Sequence, residues 1–471
     1  MGETDQRYPV IARVCASGIW ESTSPLHIGG DGDFESNTDM ALARDFAGRP
    51  YIPGASIAGA VRSHLSRVLS TSFKEFLGGT EKAGVTGTFG GKVIRGRNDA
   101  VYASLISVEE GRFQQGPAAR IRDGVKINSQ TGNAEPKGKY DWEVLPAGTA
   151  FCLGFQLLLY EQPPVGITNP EARQVLRWIL ESFGERGVQL GAKVRKGFGR
   201  GAVSSWQIRD YDLHDRAQAL DWLEHRGSQG GRELPLEDLG PVPLPSVVDR
   251  LTIEAEFHVR TSLLVRAASE EEGGPDVTQF SENGRMILPG TAVAGALRHR
   301  IERIANTLGN VGRDFVVNLF GIANQPGTPE RAGRLRVDEA PLSGGSLAVQ
   351  SRVSIDRFTG GSLESRLFDE APFRGDPNAE RHLAIRLELD DPNPREAQIL
   401  LGAFKDLWLG DLTLGGESSV GRGVLQGIRA RFRGPGEQLD MTWDRDPADR
   451  NCVETRGAEP WRQYLSEAPN A

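Results

Sequence analysis

Pro53-Gly54-Ala55-Ser56-Ile57-Ala58-Gly59-Ala60-Val61-Arg62 returns 236 positions later as Pro289-Gly290-Thr291-Ala292-Val293-Ala294-Gly295-Ala296-Leu297-Arg298. One such stretch could be coincidence, but its neighbours recur in the same order. Val125-Lys126-Ile127 leading to Thr131-Gly132 matches Val353-Ser354-Ile355 leading to Thr359-Gly360, and Tyr140-Asp141 matches Phe368-Asp369. Asn169-Pro170 matches Asn393-Pro394, and Gly199-Arg200-Gly201 reads as the counterpart of Gly421-Arg422-Gly423. The offsets drift only from 236 to 222. Self-similarity in fixed order is the signature of a repeated structural unit. The chain is a tandem duplication.

Each copy has one order of elements. A strand opens it (Val10 to Ala16; Leu251 to Val259), with apolar and polar residues alternating most clearly in the second copy. An acidic, Gly-containing loop follows, then the Pro-Gly turn and a helix. Ser56 and Thr291 are its hydroxyl N-cap candidates, and Leu65 and Val68, or Leu297 and Ile301, share one face. A long irregular region then holds a β-hairpin around the Thr-Gly turn. After a strand (Ala150 to Tyr160; His382 to Leu389), Asn followed by Pro marks a second helix, because a missing N–H costs nothing at the first helical position. A Gly-rich loop and a last strand close the unit. This order predicts an α+β fold of two tandem ferredoxin-like domains with large insertions. The expected boundaries are 1–225 for the first domain, 226–247 for a linker, 248–430 for the second domain and 431–471 for a polar tail. The linker reading rests on four Gly and four Pro with no aromatic residue. In the tail, Trp443, Trp461 and Tyr464 are docking anchors.

Composition excludes several classes. At 471 residues, 38% hydrophobic and 25% charged, the chain can bury real cores and suits two domains. No run approaches a membrane span, and the polar start at Met1 to Pro9 lacks a signal-peptide h-region, so a soluble cytoplasmic protein is expected. Cys15, Cys152 and Cys452 are too few and too scattered for a disulfide framework. Glycine, 58 of 471, exceeds the usual ~7%. The net charge of −8 on its face argues against a nucleic-acid partner, yet residues 1–225 hold 26 basic and 26 acidic groups, so the whole excess lies further on.

Three features carry chemistry. The first Gly-rich loop, Gly191 to Gly201, brings Lys193, Arg195, Lys196 and Arg200 together with no acid. Glycines admit a phosphate to the backbone and the cations neutralise it, while Phe198 could stack on a base; a plain β-turn is the alternative. The second loop repeats the glycines and Arg422 but not the charge. The Pro-Gly turn exposes N–H groups at a helix N-terminus, an anion site with Arg62 or Arg298 along the helix, or else only a tight strand-to-helix turn. The acidic loops hold Asp31, Asp33, Glu35, Asp39 and Asp45 in copy one, and Glu270, Glu271, Glu272, Asp276 and Glu282 in copy two. Asp39 and Asp276 lie 14 and 13 residues before their Pro-Gly turns. A carboxylate beside a phosphodiester can bind a divalent metal or orient a 2′-hydroxyl, although a solvated loop is equally compatible with the residues. The seven histidines show no metal spacing and no recurrence at aligned positions.

The stretch Pro50 to Arg62, its repeat and the terminal Gly-rich loops resemble the hallmarks of the RAMP superfamily. Val125 to Val144 and Val353 to Phe373 resemble the hairpin segments of backbone subunits of type III CRISPR effector complexes, and two units in one chain look like the fused double subunit of type III-D-like systems. The resemblance implies modified RRM-like (ferredoxin-like) domains stacked along a CRISPR RNA. Each would insert a β-hairpin thumb, roughly Arg120 to Glu143 and Arg352 to Glu370, into the guide–target duplex. Val125, Ile127, Thr131, Val353, Ile355 and Thr359 are thumb residues on this reading. A loop Asp would cleave single-stranded target RNA metal-dependently, with Mg2+ the expected ion, leaving 2′,3′-cyclic phosphate ends. By motif, Asp39 is the catalytic residue and Asp276 its counterpart; both are also the metal candidates. Ala58 and Ala294 stand where the family often has Lys. Guide contacts then fall to Ser56, Arg62, Lys193, Arg195, Lys196, Phe198, Arg200, Thr291, Arg298 and Arg422. Other RAMP subunits and the large subunit of a type III complex are the implied partners, with no membrane.

Other readings compete. The chain could be a catalytically silent RNA-binding scaffold whose aspartates are only loop acids. It could be a CRISPR-RNA-processing endonuclease, though two Gly-rich loops and no recurring His count against that. A protein-interaction module without RNA is the remaining reading.

Overall fold

The computed structural model describes residues 9–30, 38–69, 91–95, 98–102, 104–128, 134–162, 168–185, 187–245, 249–269, 273–309, 312–322, 331–436, 438–446 and 453–467. Asp31, Asp33, Glu35, Thr131, Glu270, Glu271, Glu272 and Cys452 lie outside these residues. The chain divides into two compact units. Met1–Gly124, Tyr140–Val194 and Phe198–Val247 make the first; Val125–Lys139, Arg195–Gly197 and Val248–Ala471 make the second.

In the first unit the strand Val10–Ser22 is central. It pairs antiparallel with Gly201–Asp212 on one side and Ala150–Tyr160 on the other. Beyond Ala150–Tyr160 lie Gly111–Gln115 and Ile106–Val108. Counted in chain order, the main strands stand fourth, first, third, second, which is the ferredoxin-like arrangement. From Val14 onward every second residue of the opening strand is buried, while Ala150–Tyr160, also inside the sheet, is buried at seven of its eleven residues and half-buried at the rest. The second unit repeats the order with Leu425–Arg433, Arg250–Val259, Leu383–Asp390 and Leu335–Val337. Leu251, Ile253, Ala255, Phe257 and Val259 point into its core, as the alternation dictates. The α+β, twice ferredoxin-like fold is therefore as the sequence predicts.

The Pro-Gly helices, Gly54–Val68 and Gly290–Gly309, pack through Ile57, Val61, Leu65 and Val68, and through Val293, Leu297, Ile301 and Ala305. Their starts correct one expectation. Pro53 occupies the N-cap position and makes no side-chain bond. The N–H of Ser56 already donates to Pro53 O at 2.9 Å, and that of Ala292 to Pro289 O at 3.0 Å. Ser56 and Thr291 thus lie inside the first turn and cap nothing. The fixed φ of proline pre-sets the entry, so the helix starts at the glycine.

The second helices are Asn169–Glu181 and Pro394–Leu409. Asn393 caps its helix in a capping box with Glu396. In the first unit the cap is Thr168, boxed with Glu171, and the Asn169 side chain instead donates to Tyr160 O at 2.8 Å. The spacing Thr168 to Glu171 carries that signal in the sequence.

Residues 226–245 are well anchored despite their composition. Arg232–Glu233 pairs with the end of Gly201–Asp212, Leu239 is buried, and Trp178 Nε1 donates to Val242 O at 2.9 Å. Gly and Pro report the lack of a regular element, not the lack of contacts. The tail adds Asp440–Arg445 and Val453–Arg456 to the edge beyond Leu425–Arg433, then a helix, Ala458–Ser466. Trp461 is buried in the second core and Tyr464 donates to Pro392 O at 2.8 Å. Trp461→Ala is expected to destabilise the second unit by about 3–5 kcal/mol, as for other buried Trp truncations. Chemical denaturation checks this, and a cost below about 1 kcal/mol would mean the tail is not part of that core.

Candidate nucleic-acid interface

Asp39 is held against the root of the first hairpin, whose strands are Arg120–Ile127 and Ala134–Val144. Its main-chain N–H donates to Asp141 Oδ1 at 2.7 Å, and the Asp141 N–H donates back to Asp39 Oδ2 at 3.0 Å. The next residues, Met40 and Trp142, form a parallel bridge. Glu143 extends the clamp: its N–H donates to Met40 O at 2.9 Å, its carboxylate accepts the Leu42 N–H at 3.1 Å, and Arg44 pairs with it. The exposed carboxylate of Asp39 is therefore fixed by backbone, on a loop that cannot swing freely. Asp45 does something else. It closes its own turn by accepting the N–H groups of Ala47 and Arg49, and the Arg49 backbone bond chiefly lowers its pKa.

The second unit repeats one bond of this clamp. Asp276 Oδ2 accepts the main-chain N–H of Asp369 at 2.9 Å. The next residues pair in parallel, Val277 with Glu370. Asp39 and Asp276 thus occupy equivalent places, each on the residue that follows an aromatic at the hairpin root. Neither Asp141 nor Asp369 was singled out for a role by sequence reasoning, although the recurrence of Tyr140-Asp141 as Phe368-Asp369 was the available signal.

The Gly-rich loops align differently from the sequence reading. Leu190 N donates to Gly199 O at 2.9 Å, and Leu414 N to Gly423 O at 2.9 Å. Gly191 and Gly415 have φ of 80° and 82°, Lys193 and Glu417 57° and 60°, and Gly197 and Gly421 89° and 88°. Single turns of 3-10 helix follow at Val194–Lys196 and Ser418–Val420. The offset is 224, so Gly199 matches Gly423 rather than Gly421, and Arg422 matches Phe198 rather than Arg200.

Two expected RNA contacts are corrected. Phe198, expected to stack on a base, is 1% exposed and packs on Trp142 with ring centroids 5.0 Å apart. Arg422, expected to face a phosphate, is 3% exposed and pairs with Glu370 and Glu417, both at 3.0 Å. Both residues sit where the loop meets the hairpin root, where burial excludes a ligand. Lys193 places its ammonium 2.6 Å from the centre of the Trp142 ring. Arg195 pairs with the buried Asp390 at 2.8 Å. Burial alone would raise the Glu417 pKa, but its bonds with Glu370 and Arg266 and the charges of Arg422 and Arg352 hold it below the usual carboxylate range.

The superfamily model for RAMPs matches residues 21–203 and 256–426, most of both units. The chain belongs to the RAMP superfamily. No curated protein matches it at a significant level. Membership makes this tandem RAMP protein a CRISPR-associated RNA-binding protein. Its remaining candidate contacts lie at the surface: Ser56, Arg62, Arg298 and Lys196 are exposed, and Thr291 and Arg200 partly so. On the two hairpins of this RAMP protein, Val125, Ile127, Val353 and Ile355 are exposed apolar residues. Thr359 lies at the second tip, where Asp356 Oδ1 accepts the N–H groups of Phe358 and Thr359 at 2.6 and 2.9 Å. Phe358, 99% exposed at that tip, is an aromatic that sequence reasoning missed.

Among the described residues no helix is long and apolar enough to cross a membrane, and no group of three or more His, Cys, Asp and Glu is poised on a metal. Each loop does offer a carboxylate pair, Asp39 with Asp141 and Asp276 with Asp369. Asp369 Oδ1 is buried without a hydrogen-bond partner. A carboxylate oxygen without a partner, as at Asp369, suits Mg2+, which is commonly held by one or two carboxylates and completed by substrate phosphate and water.

Proposed function

We propose that this protein is a backbone subunit of a type III CRISPR effector complex that holds the guide–target duplex and cuts target RNA at Asp39 and Asp276. The observation that carries the reading is the repeated clamp: in both units a loop aspartate is tied to the thumb root by the same main-chain N–H. Asp39 or Asp276 takes the proton of a target 2′-hydroxyl, the freed oxygen attacks the adjacent phosphorus, and the bond to the 5′-oxygen breaks. The departing oxygen gains a proton from water, and a 2′,3′-cyclic phosphate remains. Bound Mg2+, held by Asp39 with Asp141 or by Asp276 with Asp369, would supply charge neutralisation at the phosphate. The thumbs splay the duplex so that the reacting linkage meets the loop. Other RAMP subunits and a large subunit complete the complex in the cytoplasm.

The reading is tested by assembling the complex with guide RNA and a complementary target. Discrete cuts carrying 2′,3′-cyclic phosphate, abolished by EDTA and restored by Mg2+, are expected. Target that is bound but never cut would leave a silent scaffold, and precursor cleavage by the isolated chain would point to a processing enzyme. Guide affinity has its own test. Backbone contacts release counterions, so binding should fall steeply with salt and tolerate changes of spacer sequence. Arg62→Ala and Arg298→Ala should each weaken guide binding and reduce the salt slope by about 1; an unchanged slope removes those helices from the interface.

A further inference from the structure

We propose that each Gly-rich loop positions the cleaving aspartate of its own unit by latching the thumb root, with an aromatic latch in the first unit and an ionic one in the second. The inference rests on the reading of Asp39 and Asp276 as cleavage residues and deepens it.

The clamp bond that fixes each aspartate comes from the main-chain N–H of Asp141 or Asp369. The direction of that N–H is set by whatever holds the following residue, Trp142 or Glu370. In the first unit Trp142 is gripped by loop residues: Phe198 packs at 5.0 Å and Lys193 sits over its ring. In the second unit Glu370 is gripped from the equivalent loop positions. Arg422 stands where Phe198 does and pairs with Glu370 at 3.0 Å, and Glu417 stands where Lys193 does. Arg266 and Arg352 complete the group, reaching Glu417 at 2.7 and 2.9 Å. Three equivalent positions thus read Trp, Phe, Lys in one unit and Glu, Arg, Glu in the other. Every side chain has changed and the contact has not. A latch rebuilt in a different chemistry at the same three places is explained by what it holds, which is the residue beside the clamp. The two latches fail differently. Glu370 is fully buried, so removing Arg422 takes away its nearest cation in a desolvated place and leaves only Arg266 and Arg352, both at 3.4 Å, whereas an aromatic contact weakens gradually as area is lost.

The assembled complex with guide and target tests this, using Arg422→Gln, Glu370→Gln and Phe198→Leu. Arg422→Gln and Glu370→Gln should each slow the cut that Asp276→Ala removes by about a hundredfold, the scale of a displaced catalytic group. The cut that Asp39→Ala removes, and target binding, should not change. Phe198→Leu should slow only the Asp39 cut. Amide exchange gives a readout free of cleavage: Arg422→Gln should speed exchange at Asp369 and over residues 273–280, with the strands Arg250–Val259 and Leu425–Arg433 still protected. A retained Asp276 cut, or faster exchange spread evenly over the second unit, would overturn the latch. If neither Asp39→Ala nor Asp276→Ala removes a cut, the cleavage reading fails, and unchanged protection at Asp369 in Arg422→Gln then overturns the latch separately.

Discussion

Asp39→Ala in the assembled complex is expected to remove one set of target cuts, Asp276→Ala another, and the double variant all of them, each by about 10²–10⁴-fold. Target binding should survive, because neither carboxylate is part of a core and both lie on exposed loops. The Asn variants separate chemistry from placement. Asp39→Asn keeps an oxygen to accept the Asp141 N–H at 3.0 Å, so the loop stays docked while the charge is gone. It should therefore lose cutting as fully as Ala while keeping amide protection at Asp141. If the double Ala variant still cuts at every position at full rate, the catalytic assignment is wrong and the silent-scaffold reading takes its place. If only Asp39→Ala has an effect, the repeated clamp does not by itself make a cleavage site.

The second large effect is in the Gly-rich loops. A Cβ at Gly423 would stand 1.9 Å from Leu414 O, with φ at 77°. At Gly199 the same atom would meet Leu190 O at 1.9 Å, with φ at 72°. These are the carbonyls of the residues whose N–H groups close the loops, so the obstruction is rigid backbone. Gly423→Ala and Gly199→Ala should each cost about 1–2 kcal/mol for a left-handed L-residue and about 1–3 kcal/mol more for the overlap. Gly421→Ala supplies the contrast. Its φ is 88° but nothing lies within 4 Å, so only the conformational cost remains, about 1–2 kcal/mol. Denaturation midpoints measure the difference. Equal costs at 421 and 423 would mean that loop closure is not what Gly423 provides. A latch-bearing loop that cannot close should also lose the adjacent aspartate's cut.

Much of this was legible in the sequence, and the reasons are physical. Alternation in Arg250–Val259 and the fourfold spacing of Ile57, Val61 and Leu65 are the periods of a half-buried strand and a one-faced helix, so fold class followed from local pattern. Duplication multiplied each weak local signal by a second appearance. What failed was either degenerate or non-local. Three glycines at alternate positions, Gly197, Gly199 and Gly201, slide by two against Gly421 and Gly423 without visible penalty; only the Leu190–Gly199 and Leu414–Gly423 bonds fix the register. Residues 226–247 look like a linker because composition cannot report Trp178 reaching Val242.

The sequence by itself determined the duplicated α+β plan, the two loop aspartates and the superfamily, because repeats, periodicity and turn residues are properties of neighbours along the chain. Tertiary structure decided which charged and aromatic residues face solvent. Phe198 and Arg422 have the composition of RNA contacts, and both are buried against the hairpin root. A cation is a phosphate ligand or half of an internal ion pair according to what the fold places beside it. Glu370 lies 52 positions before Arg422 and Trp142 lies 56 before Phe198. At such separations no local pattern encodes the pairing, and only the closed loop brings the partners together.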